Sequence, residues 1–216
     1  MANIQSYSQS QQDLFALFMN RQKTNGTFLE IGANHPVTHN NTYLLESQYQ
    51  WKGLMVEYDS SFESLYPIHR PMSVYEIKDA TKVDYSGLLH KHNFPCNIDY
   101  LQIDLDVNNR STIDTLNLLE NTVFDHYKFA TITFEHDIYS GNYYNTRSLS
   151  REILQKRGYE LVFPDVMVYW EGGYKPFEDW YVHPDLIDTE TIQSCKTDQS
   201  MPHSDVITKI RDILSI

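Results

Sequence analysis

The sequence predicts an α/β fold, a mostly parallel sheet with helices on both faces. Apolar runs of strand length alternate with segments of helical periodicity along the chain. The apolar runs are also continuous, as strands covered on both faces are. A further observation locates the chemistry. Several runs end on acidic residues, and open parallel sheets bind ligands at the carboxyl ends of their strands.

The elements follow in order. "SQQDLFALFMNRQ" is a helix, with Leu14, Leu17 and Phe18 at helical spacing. "TFLEI", "GLMVE", "MSVYEI", "IDYLQID", "FATITFE" and "YELVFPDV" are strands. Between them lie the helical segments "NNTYLLESQYQ", "SSFESLYPIHR", "DYSGLLHKHN", "NRSTIDTLNLLEN" and "TRSLSREILQKRG". The last has Gly158 just past its end, a usual helix stop. "FEDWYVHPDL" supplies an antiparallel strand after "YELVFPDV". No repeat, linker or charge block divides the chain, which reads as one domain over residues 1–216, with residues 1–25 as an N-terminal helical extension.

Composition narrows the function classes. With 216 residues, 41% of them hydrophobic, the chain can bury a sizeable core. The formal net charge is −12 and Lys and Arg form no stripe, which argues against nucleic acid as a partner. No apolar run reaches membrane-spanning length, and "MANIQSYSQSQQ" lacks the apolar stretch of a signal peptide. Cys96 and Cys195 have neither metal nor redox spacing and read as free thiols of a reducing compartment. A cytoplasmic protein is the expectation.

The strand ends carry the chemistry. They read Glu30-Ile31-Gly32-Ala33-Asn34, Glu57-Tyr58-Asp59, Lys78-Asp79-Ala80, Asp104-Leu105-Asp106 and Glu135-His136-Asp137. One such acid reads as a helix cap. Five in succession read as a site. Glu57 closes the second strand about 25 residues after Gly32, where an acid accepts hydrogen bonds from a ribose diol. The loop "GANHPV" has one glycine, with Asn34 and Pro36 in the later slots, and so gives a diphosphate poor access to the helix behind it. S-adenosylmethionine (SAM) has the ribose without a phosphate, and this loop suits it better than NAD or FAD.

The same residues resemble the FkbM-type SAM-dependent methyltransferases over roughly Thr27 to Asp188. The likeness rests on "FLEIGAN", "NNTYLLE" with "WKGLMVEYD", "IDYLQIDLD", "ATITFEHD", "LQKRGYELV" and "EDWYVHP". The chain departs from that pattern at Pro36, where glycine is usual, and at Val107-Asn108-Asn109, where the family commonly carries a glutamate after the glycine. The resemblance implies a Rossmann-like class I methyltransferase fold, seven strands with one antiparallel near the C-terminus. It implies Glu30, Gly32 and Asn34 around the methionine part of SAM, with Asn41 and Thr42 opening the flanking helix. Glu57, followed by Tyr58, would bind the ribose, Asp79 and Ala80 would border the adenine, and Asp104 would lie beside the sulfonium. It implies O-methylation of a small-molecule hydroxyl, such as one on a carbohydrate.

A hydroxyl needs a base or a divalent ion to react. Asp104 and Asp106 alternate along a strand and would share a face, with Glu135 and Asp137 on the neighbouring strand end. Four oxygen donors there suit Mg, Mn or Ca. The competing reading is a set of caps and local ion pairs. His136 is the expected general base, its pKa lying near working pH. The aromatic residues Tyr139, Tyr143, Tyr144, Tyr169, Trp170, Tyr174, Trp180 and Tyr181 read as core packing or as a ring-binding wall. A non-catalytic relative binding a nucleoside or a protein partner is the alternative function.

Overall fold

The computed structural model describes residues 4–216. Its seven strands are β1 Thr27–Ile31, β2 Lys52–Glu57, β3 Val74–Ile77, β4 Asn97–Ile103, β5 Lys128–Glu135, β6 Glu160–Trp170 and β7 Gly173–Val182. They form a single sheet in the order β3-β2-β1-β4-β5-β7-β6. Strands β1 to β5 pair in parallel, and β7 runs antiparallel to both β5 and β6. The expected antiparallel strand is therefore present, inserted one place in from the edge. Strand β6 is longer than "YELVFPDV" and reaches Trp170, because the β6–β7 hairpin keeps pairing to its tip.

Eight helices cover the sheet: α1 Gln12–Met19, α2 Tyr43–Tyr49, α3 Tyr66–His69, α4 Tyr85–Lys91, α5 Ser111–Thr122, α6 Tyr144–Lys156, α7 Thr189–Cys195 and α8 His203–Leu214. Strand alternation sends neighbouring residues into two cores. Phe28, Tyr100 and Trp180 pack with α1, α2, α7 and α8 on one face. Leu29, Leu101 and Ile132 pack with α4, α5 and α6 on the other. Helix α1 is no peripheral extension: every residue of it is buried, and Phe15 stacks on Trp180 at 4.6 Å. Its apolar residues fill the core, and its buried Asp13 is satisfied by Ser6, Ser8 and the Tyr7 amide. Helices α7 and α8 complete this layer, and the outer side of β6 receives backbone bonds from the chain that joins them. Thr197 N–H donates to Val162 and Met167 N–H to the carbonyl of Met201. Among the described residues no helix is long and apolar enough to cross a membrane, and Cys96 and Cys195 are free thiols.

Beneath the ends of β1 and β2 lies a buried ionic network centred on Arg70, which is 1% exposed. Its guanidinium donates to Glu46 at 2.9 Å, to the Asn40 side-chain oxygen at 2.9 Å and to the Thr42 hydroxyl at 2.6 Å. It also lies 3.7 Å from Glu30. Glu30 in turn accepts the Asn41 amide and the Thr42 hydroxyl. Burial pushes the Glu30 carboxyl up to about 7, against the pull of Arg70 and these donors. Arg70→Met removes the charge that two buried carboxylates depend on. It is expected to lower unfolding free energy by about 3–5 kcal/mol in denaturant titrations. A loss below about 1 kcal/mol would show that the network contributes little.

Candidate functional site

The site begins where β1 ends. Gly32 has φ +85°, and a Cβ there would stand 1.7 Å from the Asp104 carbonyl oxygen. No side chain fits, so this glycine lets the ends of β1 and β4 approach. The Gly32 and Ala33 amides both donate to Val56, and the Asp104 amide donates to Ile31. The ends of β1, β2 and β4 are thereby locked into one edge, carrying the expected acids together. Past the glycine, Asn34 takes φ +50° and its side chain accepts the His35 amide. The turn closes through Asn chemistry, without a second glycine.

Glu57 sits at the end of β2, as expected. Its carboxylate accepts the Asn34 amide at 2.6 Å on one oxygen and the Tyr58 and Asp59 amides at 2.8 and 2.7 Å on the other. It thus ties the β1 loop to the β2 end. Beside it opens a cavity of about 470 Å³ lined by Tyr58, Lys78, Asp79, Ala80, Leu105 and Asn109, among others. The expected Tyr58, Asp79 and Ala80 all line it. Tyr58 is 79% exposed at its mouth. Asp79 already caps the turn at Ala80–Lys82 and is held below the usual carboxylate range by Lys82 and Thr81.

Three expected cofactor contacts lie elsewhere. Glu30, Asn41 and Thr42 are 0%, 4% and 0% exposed and belong to the Arg70 network. Glu30 and Thr42 spend their polarity within that network, whereas the Asn41 side-chain oxygen is buried without a hydrogen-bond partner.

The acids at the ends of β4 and β5 form a chain. Asp104, Glu135 and Asp137 stand close enough to share protons, and burial is the first cause that raises each. Glu178, unforeseen in sequence, joins them: it pairs in register with Glu135, is buried, and is raised by burial and by Asp104. Glu135 Oε2, Asp137 Oδ1 and Glu178 Oε1 are buried without a hydrogen-bond partner. Asp106 is different. Strand β4 stops at Ile103, so the alternation assumed for Asp104 and Asp106 does not exist, and exposed Asp106 accepts the Asn108 amide instead. The expected four-acid metal cage is not formed.

His136 also falls in a different place. It is fully buried, with Nε2 3.3 Å from Asp165 and 3.7 Å from Asp179. Those acids also hold Arg147 and Arg151, at 2.9 Å and 2.7 Å. Among the described residues, His136, Asp165 and Asp179 are the one group whose ligand atoms gather as a metal would require, but the two arginines already neutralise it. Burial opposes the imidazolium, yet the two carboxylates prevail and raise the His136 pKa. A ring that keeps its proton is a poor base. Arg70 and Glu178 could not be found from sequence, since their partners lie far along the chain. A buried strand reading Glu178-Asp179 was the one available signal.

Comparison of this fold with solved structures returns methyltransferases. The O-methyltransferase TomG from Streptomyces achromogenes, solved in complex with SAM, matches at 14% identity over 82% of each chain, with a TM-score of 0.55. The precorrin-6y C5,15-methyltransferase from Geobacter metallireducens matches at 12% identity over 79% of this chain and 86% of that one, TM-score 0.52. A variant of DNMT2 from Spodoptera frugiperda matches at 13% identity over 82% of this chain and 54% of that one, TM-score 0.51. No protein-family model matches the chain, and no curated protein does. The fold is thus the Rossmann-like one of SAM-dependent methyltransferases.

Proposed function

We propose that the protein is a SAM-dependent methyltransferase acting on a hydroxyl of a small molecule. The observation that carries the reading is the meeting, on this fold, of the Gly32–Glu57 edge with acids whose buried oxygens lack partners. The residues fit the cofactor. SAM brings two positive centres, the sulfonium and the ammonium, to oxygens that lack a cation, and it needs no diphosphate cradle. When bound, it supplies a methyl group made electrophilic by the sulfonium.

The chain's own residues do the rest. Glu57 offers carboxylate oxygens to the ribose diol, exchanging some of its present amide donors. Tyr58 and Ala80 flank the adenine in the cavity beside β2. Asp104 would offer its carboxylate to the positive sulfur. The acceptor hydroxyl would give its proton to the chain of Glu135 and Asp137. Burial raises their pKa values above the usual carboxylate range and so makes them stronger bases once deprotonated. The products would be a methyl ether and S-adenosylhomocysteine, with the acceptor proton held on the Glu135–Asp137 pair. His136 is a positioning residue in this scheme, holding β5 against β6 and β7. The second reading, a non-catalytic nucleoside binder, is favoured by one observation: Glu57 is already satisfied by three amides.

Calorimetry with S-adenosylhomocysteine tests the cofactor. Micromolar binding is expected, and absence of binding at millimolar ligand would sink the proposal. Glu57→Ala should weaken it by about 1.5–3 kcal/mol, the scale for hydrogen bonds to a charged group. Unchanged affinity would remove Glu57 from the site.

A chelator tests the chemistry. Methyl transfer is expected to survive EDTA and to rise with pH as the acid chain loses protons, at higher pH than ordinary carboxylates would give, whereas Asp137→Asn should slow it and flatten that rise. Activity lost in EDTA and restored by Mg²⁺ would return the metal that the geometry speaks against.

A further inference from the structure

Asp104, Glu135, Asp137 and Glu178 lack a cationic partner; buried Asp13 lacks one too, but Ser6, Ser8 and the Tyr7 and Leu14 amides satisfy its oxygens. Glu30 and Glu46 have Arg70. Asp165 and Asp179 have Arg147 and Arg151. No Lys or Arg forms an ion pair with any of the four at the strand ends, among the described residues. Glu135 is 7% and Glu178 2% exposed, each with an unpartnered oxygen. The two positive centres of SAM answer at most two of these acids. A shared proton relieves another, and the rim of the cluster still favours a positive ligand.

That rim is aromatic. The Tyr139 hydroxyl lies beside the Asp137 carboxylate, and burial together with Asp137 and Glu135 pushes it up to about 12. The Tyr139 ring stands 6.2 Å from Trp170 and 6.3 Å from Phe177. Trp170 is 49% exposed at the end of β6, which runs parallel to β5 and so ends at the site edge of the sheet. Strand alternation separates it from Tyr169, which pairs with Tyr174 on the opposite face. On the other side, the Tyr143 hydroxyl donates to Asn108, joining the loops after β5 and β4. Asn109, next in the chain, lines the cofactor cavity.

We propose that this rim is the acceptor subsite and that it takes a small organic cation, an amine-bearing alcohol whose ammonium group faces Asp137 and Glu135 while its flank packs on Tyr139 and Trp170. The proposal rests on the methyltransferase reading for the word acceptor, but the subsite itself is testable alone. Indole and phenol faces attract cations, and the attraction grows as water is excluded. A neutral ring would pack on the same aromatics and leave the carboxylates uncompensated. A metal ion would need the ligand geometry that the acids lack.

The test uses choline and its neutral carbon isostere, 3,3-dimethylbutan-1-ol, with the full chain and saturating S-adenosylhomocysteine. Binding is read by saturation-transfer NMR and tryptophan fluorescence. Choline should bind at least about tenfold more tightly than the alcohol. Asp137→Asn should remove most of that preference, and Trp170→Leu, a change at an exposed position, should weaken choline binding several-fold. Equal affinities, or a preference that survives both substitutions, would overturn the proposal. Calorimetry of S-adenosylhomocysteine on the same sample separates this outcome from failure of the methyltransferase reading. Nucleoside bound without choline preference refutes the subsite alone, and choline preference without nucleoside binding refutes the reading alone.

Discussion

A guanidinium shut away from water governs the architecture of the site edge. Arg70 is held by Glu46, Asn40 and Thr42, with Glu30 3.7 Å away. An unpaired buried charge is so costly that each partner has essentially one place to be. Asn40 also donates to the Ala33 carbonyl, so the network reaches the loop directly after Gly32. The loop between β1 and α2 is thereby shaped from beneath, by a charge, where dinucleotide-binding proteins shape theirs with glycines. This is why one glycine suffices here.

Much of the fold was legible because it depends on patterns that are local. Continuous apolar runs gave β1 to β5 nearly to the residue, and "TFLEI" matches β1 outright. The position of Glu57 was legible too, since it closes β2 where the apolar run ends. What escaped depended on distant partners. Arg70 sits in "YPIHRP" with nothing local to mark it, and it meets Glu30 and Glu46 only through the fold. Glu178 was unremarkable until antiparallel pairing set it beside Glu135. Asp104 and Asp106 were misread because the alternation argument needs an extended chain, and β4 stops one residue short of the first of them. Helices α7 and α8 were not anticipated, although α8 buries Val206, Ile207 and Ile210 at helical spacing.

Adjacent residues at the end of β5 show how far alternation can divide chemistry. Glu135 shares the face of Glu178 and α1, among acids without cations. His136 shares the face of Phe134 and α6, between acids saturated with arginine. The His136 and Asp137 amides both donate to Phe177, and Asp137 takes φ +50°. This small bulge ends the pairing and re-aims the next carboxylate, a common device beside active sites. One strand end therefore carries an acid cluster neutralised by arginine and another without a cation.

The pairing of β6 with the segment between α7 and α8 has a consequence for how the protein behaves in company. A long strand at the margin of a sheet offers its free amides and carbonyls to any other extended chain, and this one also carries Tyr169 and Trp170. The bonds from Thr197 and Met167 cap that margin with the protein's own backbone, while the opposite margin, β3, is only four residues long. Both borders are thus poor templates for strand addition. A chain that lost residues after Cys195 would uncover that border together with the core face that Val206, Ile207 and Ile210 of α8 cover, and self-association would follow.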